Sequence, residues 1–201
     1  TEIYTLSLHD ALPICLRTLS ISGKTKRQIV ESNGVSLLVN AMRTFPNTEF
    51  LLIQASAALK QLAFTDSKAV KFIEAGAIEA CVAALQAFPN GAAVQQRCCN
   101  FLQAMSENKK AREAIVKTPR AIQQLLTTVK THTTNQPITE SALSCLLTLA
   151  QHDGSGMFAT ALGDSTEVLA VVETMMQAHP KPSKIFSISK SLHSSVRSFK
   201  K

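Results

Sequence analysis

Beyond the first fourteen residues, four histidines, five cysteines and one glycine-flanked serine are the side chains whose types invite chemistry. His132, His152, His179 and His193 are separated by 14 to 27 residues, so no two form the short-spaced ligand pair that a helix offers a metal. Cys98 and Cys99 point about 100° apart on a helix, and there is no CxxC, so the thiols make no metal clamp. Cys145 and His152 are seven apart, two helical turns, too far for the imidazole to activate the thiol. Gly154-Ser155-Gly156 lies between helical stretches and lacks the strand-turn-helix setting of a nucleophile elbow; a loop with Ser155 as a cap is expected there. There is no HExxH, no GxxxxGK[ST] and no strand-led GxGxxG. The expectation is a chain that is not an enzyme and carries no cofactor or metal.

The cysteines also bear on compartment. Cys15, Cys81, Cys98, Cys99 and Cys145 occupy apolar or small-residue positions, and an odd number without framework spacing is unlike a secreted disulfide scaffold. Buried free thiols in an intracellular, cytoplasmic setting are expected. Across 201 residues there are 21 Lys and Arg against 14 Asp and Glu, a net +7. The excess is local: residues 1–180 hold 15 basic and 14 acidic side chains, while the last 21 residues hold six basic and no acidic ones. Such a near-neutral body disfavours nucleic acid as a partner. A weak electrostatic nucleic-acid adaptor stays as an alternative, through Lys24, Lys26 and Arg27 together with Lys109, Lys110 and Arg112; Glu31, Glu107 and Glu113 dilute that field. With 45% apolar and 17% charged residues the chain is too hydrophobic for disorder, and no apolar run approaches the length of a transmembrane segment.

Thr1 to Ile14, TEIYTLSLHDALPI, back-translates codon by codon onto a common sequencing-adapter oligonucleotide. We expect this segment not to belong to the natural protein, which removes His9, Asp10 and the only tyrosine, Tyr4, from any functional argument. Without Trp or Tyr, base-stacking platforms are limited to Phe and His. Cys15–Leu19 then reads as the end of a helix whose start is missing, so that an apolar stacking face is exposed and the truncated chain is expected to self-associate.

What must position these groups is a repeat. VSLLVNAMRTFPN (35–47), AIEACVAALQAFPN (77–90), AIQQLLTTVKTHTTN (121–135) and VLAVVETMMQAHP (168–180) share one pattern. Phe45, Phe88, His132 and His179 align at spacings of 43, 44 and 47 residues, the period of a three-helix unit. Each unit reads as a short first helix ending near Ser32, Ala75, Lys117 or Leu162, a second helix, and a long third helix. Gly34 and Gly76 follow two of the first helices, where a left-handed residue is expected. The second helices carry Leu37, Leu38, Ala41, Met42 and Phe45, or Ile78, Val82, Leu85 and Phe88, and stop at Phe-Pro-Asn because proline disfavours helix before it. Asn47 and Asn90 are then expected at or near the cap of the third helix. Third helices place Leu51, Leu52, Ala55, Ala58, Leu59 and Leu62 on one side, then Val94, Cys98, Phe101, Leu102 and Met105, then Ile138, Ala142, Cys145, Leu146 and Leu149, with Pro137 in the first turn. Small residues at Ala55, Cys98 and Ala142 precede Leu59, Leu102 and Leu146 by one turn, as close helix packing beside a hydrophobic knob requires. No unit can bury its apolar sides alone, so neighbours must stack.

Over about residues 15–180 these units resemble the armadillo-repeat superfamily, and within it the variants with a Phe-Pro or His-Pro step, such as the armadillo region of leucine-rich-repeat kinases and long protist repeat proteins. The resemblance implies an all-α, right-handed α-solenoid of armadillo-like three-helix repeats. Its units would run over about 33–75, 76–117 and 118–163, with a partial unit at 15–32 and a partial or capping one at 164–201. It also implies a non-catalytic protein-protein interaction scaffold whose concave face, lined by third helices, holds a protein or extended peptide. The alternative is an accessory armadillo region of a larger enzyme such as a kinase. The superfamily's ladder asparagine falls at Gln61, Ala104 and Thr148, and its aromatic position at Ala57, Asn100 and Ser144, so recognition of basic nuclear-import peptides is not expected. The candidate binding residues are Gln54, Gln61, Arg97, Asn100, Ser141, Ser144 and Thr148. At the end of the chain, Ile185, Ile188, Leu192, Val196 and Phe199 form one helical stripe, expected to cap the stack, with amphipathic membrane contact as the alternative.

Overall fold

The structure is a computed structural model that describes residues 13–15, 17–18, 23–63, 69–153, 156–163 and 165–199. Most of the adapter-like segment, residues 1–12, lies outside the described residues, as does Ser155. Helices follow one another in triplets: α1 Gly23–Glu31, α2 Gly34–Thr44 and α3 Glu49–Leu62; α4 Ala69–Ala75, α5 Ala77–Ala87 and α6 Ala92–Ser106; α7 Lys109–Lys117, α8 Ala121–Thr131 and α9 Gln136–Gln151; α10 Met157–Leu162, α11 Ser165–Ala178 and α12 Lys184–Ser198. No strand occurs among the described residues. None of these helices is long and apolar enough to cross a membrane.

The triplets stack like upon like. Third helices touch in the order α3, α6, α9, α12; second helices in the order α2, α5, α8, α11; and α4, α7 and α10 form a row of first helices. One continuous apolar core runs through the stack. All sixteen apolar positions assigned to α3, α6 and α9 are buried, including Leu59, Leu102 and Leu146. The stripe of α12 buries Ile185, Leu192 and Val196 and packs on α9 and α11, with Ile188 and Phe199 partly covered. The chain is an all-α solenoid.

Two local expectations are corrected. Leu37 is 48% exposed. Helix α2 turns Val35, Leu38, Val39 and Met42 inward, and Leu37 lies about 100° behind Leu38, on the far side of that arc. The left-handed residue between α1 and α2 is Asn33, with φ 61°, not Gly34. Gly34 is already helical and is small for another reason: a Cβ there would lie 2.4 Å from Ile29 Cγ2 and 2.8 Å from the Ile29 carbonyl oxygen. The equivalent junctions are Gly76 (φ 76°) and Arg120 (φ 63°), so the same left-handed reversal recurs after 43 and then 44 residues; Gly163 (φ 64°) also has positive φ, but its ψ of −109° makes a different turn. The caps of α3 and α6 are Thr48 and Gly91, each directly preceded by the expected Asn47 or Asn90.

Proline does not by itself end the second helices. Phe45 and Phe88 leave the helix with φ near −120° and a closing bond from Thr48 N or Gly91 N, and His132, with no following proline, makes the same turn closed by Asn135 N. A side chain from the start of the third helix holds the freed carbonyl in two units. Gln95 Nε2 donates to Phe88 O (2.9 Å) and Leu85 O (2.8 Å), and Thr139 Oγ1 donates to His132 O (2.8 Å). Gln95 is fully buried, and its Oε1 accepts from Thr128 Oγ1 of the next unit at 2.6 Å.

Candidate binding face

The exposed side of the third-helix row follows from its buried side. Leu51, Val94, Ile138 and Ile185 point inward in equivalent places. Residues three, six and ten positions further on therefore share one outward register. That register holds Gln54, Ala57 and Gln61 on α3; Arg97, Asn100 and Ala104 on α6; and Ser141, Ser144 and Thr148 on α9.

Gln54, Gln61, Arg97 and Asn100 come together around a cavity of about 350 Å³, completed by Arg17, Ile53, Ala57 and Lys60. Its lining has three cations, three amides and no carboxylate. Among the described residues, the Arg17 Nε atom is buried without a hydrogen-bond partner. Asn100 is held from the next unit: Ser141 Oγ lies 2.7 Å from Asn100 Oδ1 and 2.9 Å from the Pro137 carbonyl. With the oxygen engaged, the Nδ2 donors of Asn100 are the end left for an occupant. Ser141 is itself 8% exposed, so it braces the cavity and does not line it. Ser144 and Thr148 lie further along the row, outside this cavity, and the Thr148 hydroxyl is turned onto its own helix, donating to Ser144 O at 2.9 Å. Sequence reasoning missed Arg17 and Lys60. They lie one repeat apart in the same register, so the 43-residue period was the signal that could have found both.

A wider cavity of about 730 Å³ runs along α12, lined by Lys181, Lys190 and several serines. Its hydroxyls are largely spent: Ser187, Ser194 and Ser195 each donate to the carbonyl four residues back. Two histidines serve the stack. His132 Nε2 donates to Pro89 O and His179 Nε2 to Thr133 O, both at 2.8 Å. Pro89 and Thr133 are equivalent positions, so this is one inter-unit bond made twice, and a carbonyl acceptor fixes the proton on Nε2. His193 lies 3.2 Å from Glu173 within the last triplet.

Cys81, Cys98, Cys99 and Cys145 are buried, whereas Cys15 is exposed. Burial pushes the Cys145 thiol up to about 12, a hydrogen bond with Ser106 opposing the rise. Cys81 is raised by burial and by its hydrogen bond with Cys98, and Cys99 by burial. No group of three or more His, Cys, Asp or Glu among the described residues is placed to hold a metal.

A family model described as the LRRK2 ARM repeat matches residues 8–179, a range that starts within the adapter-like segment and takes in α1 through α11. No curated protein matches the chain. Three rows of like helices sharing one core are what that description requires, and the match spans most of the sequence: the chain belongs to the LRRK2 ARM repeat family.

Proposed function

We propose that the outward face of the third helices is a non-catalytic docking surface for an extended peptide or a peptide-like segment of a partner protein. An armadillo-repeat region is a non-catalytic type of domain, and stacked units create an elongated surface of this kind. One observation carries the reading: Gln54, Gln61, Arg97 and Asn100, from two successive units, surround a single cavity with polar groups that the fold leaves over. Amides suit the alternating donors and acceptors of an extended main chain. Ser144 and Thr148 continue the same track on α9.

The test is selection of random twelve-residue peptides on the full chain, followed by affinity measurement on variants. Replacing Gln54, Asn100 and Ser144 by Ala together should weaken the selected peptides at least tenfold, while Glu79→Ala with Gln86→Ala on α5 should leave them unchanged. Equal sensitivity to both sets would overturn the reading. The family match also favours a second reading, in which this solenoid is the accessory region of a larger enzyme such as a kinase. A continuous reading frame joining it to a catalytic domain decides that point.

A further inference from the structure

We infer that the occupant of the α3–α6 cavity is an acidic extended peptide, carrying carboxylate or phosphorylated side chains about three residues apart. The inference rests on the docking-surface reading above and adds the chemistry of the partner. Arg17, Lys60 of α3 and Arg97 of α6 line the cavity, and no Asp or Glu does. The chain away from its last 21 residues is close to neutral, so this local imbalance does not follow from composition. Arg17 Nε is removed from solvent without an acceptor among the described residues, which an incoming carboxylate or phosphate oxygen would supply.

Geometry sets the spacing. Packed helices lie about 8–10 Å apart, and an extended chain rises about 3.3 Å per residue. One repeat step, the separation of Arg17 and Lys60, therefore corresponds to about three peptide residues; Arg97 is equivalent to Gln54 and stands nearly two helical turns from that line. The amides of Gln54, Gln61 and Asn100 line the same cavity and suit the main-chain groups of an extended peptide. A single-stranded nucleic acid would also be drawn to cations, but it needs flat stacking partners. The aromatic register of this face holds Ala57, Asn100 and Ser144, and none of the lining residues is aromatic. Peptide is therefore the occupant that the lining fits.

The test uses the full chain and four fluorescent probes: twelve-residue peptides with Glu, Gln or Lys at every third position and Ser elsewhere, and an eight-residue oligouridylate. Binding is read by anisotropy at two salt concentrations. The Glu peptide should bind at least tenfold more tightly than the Gln and Lys peptides and lose affinity as salt rises. Arg97→Glu should weaken it at least tenfold, whereas Lys24→Glu, a charge change of the same size on α1, should not. Arg97 is exposed on α6, and an unchanged circular dichroism melt verifies that its variant folds. The inference is overturned if the Glu peptide does not bind, if the Gln peptide binds equally well, or if oligouridylate binds more tightly with the same Arg97 dependence. Equal binding of the Gln and Glu peptides, lost on replacing Gln54, Asn100 and Ser144 by Ala, would remove the acidic preference and leave the docking surface standing. Binding unaffected by any of these substitutions would remove both.

Discussion

Single side chains in this stack either lock a junction or disturb it, and the two kinds respond oppositely to truncation. Ser189 lies at the small-residue position shared with Ala55, Cys98 and Ala142, fully buried, with its hydroxyl unpaired among the described residues. A buried polar group without a partner costs about 1–3 kcal/mol. Ser189→Ala removes only that oxygen and should raise the urea-unfolding free energy by about 1 kcal/mol. His132 is the opposite case, because its ring donates across the unit boundary. His132→Ala should lower stability by about 0.5–1.5 kcal/mol, and His132→Phe, the residue found at 45 and 88, should restore packing without the bond. The thiols make a pH prediction. A group whose pKa is higher folded than unfolded binds more protons in the native state, so stability falls as pH rises past its unfolded value. For Cys145 that window runs from about 9 to about 12. Urea midpoints should decline through it, less steeply in Cys145→Ala, and at neutral pH iodoacetamide should label Cys15 well before the four buried thiols.

Helices here are joined by a recurring left-handed residue, and only some of those junctions could be read in advance. Gly76 advertises its conformation by type, whereas Asn33 and Arg120 adopt it because the helices on either side are already placed by the core. Arg120→Gly should therefore stabilise the chain by about 0.5–1 kcal/mol, while Gly34→Ala, meeting Ile29 at 2.4 Å, should cost about 1–3 kcal/mol; thermal melts of the two variants should move in opposite directions. The apolar faces of the third helices were legible because Leu, Ala and Cys recur at helical spacing and every such position is buried. Leu37 was not, because the run Leu37-Leu38-Val39 can face the core with either edge, and only packing against α5 and α4 chooses. The outward register containing Gln54, Gln61, Arg97 and Asn100 was readable once the inward one was known. Their meeting in one cavity with Arg17 and Lys60 was not, since it depends on how far adjacent units rotate.

The molecule as a whole obeys nearest-neighbour energetics. The helix pairs with substantial contact lie either within one triplet or between adjacent triplets, so stability is a sum of unit and interface terms. Leu59→Ala and Leu146→Ala, each emptying a fully buried site, should cost about 2–5 kcal/mol. Their effects should be spatially separate. Hydrogen exchange of Leu146→Ala should accelerate in α8–α12 and leave α1–α5 close to wild type, and Leu59→Ala should do the reverse. The same arrangement governs mechanics. Among the described helices no substantial contact ties one end of the pile to the other, so a small tilt repeated at every boundary adds up to a large change in curvature at little cost. The protein is in this sense a leaf spring, able to bend or straighten along its length while every triplet keeps its internal shape.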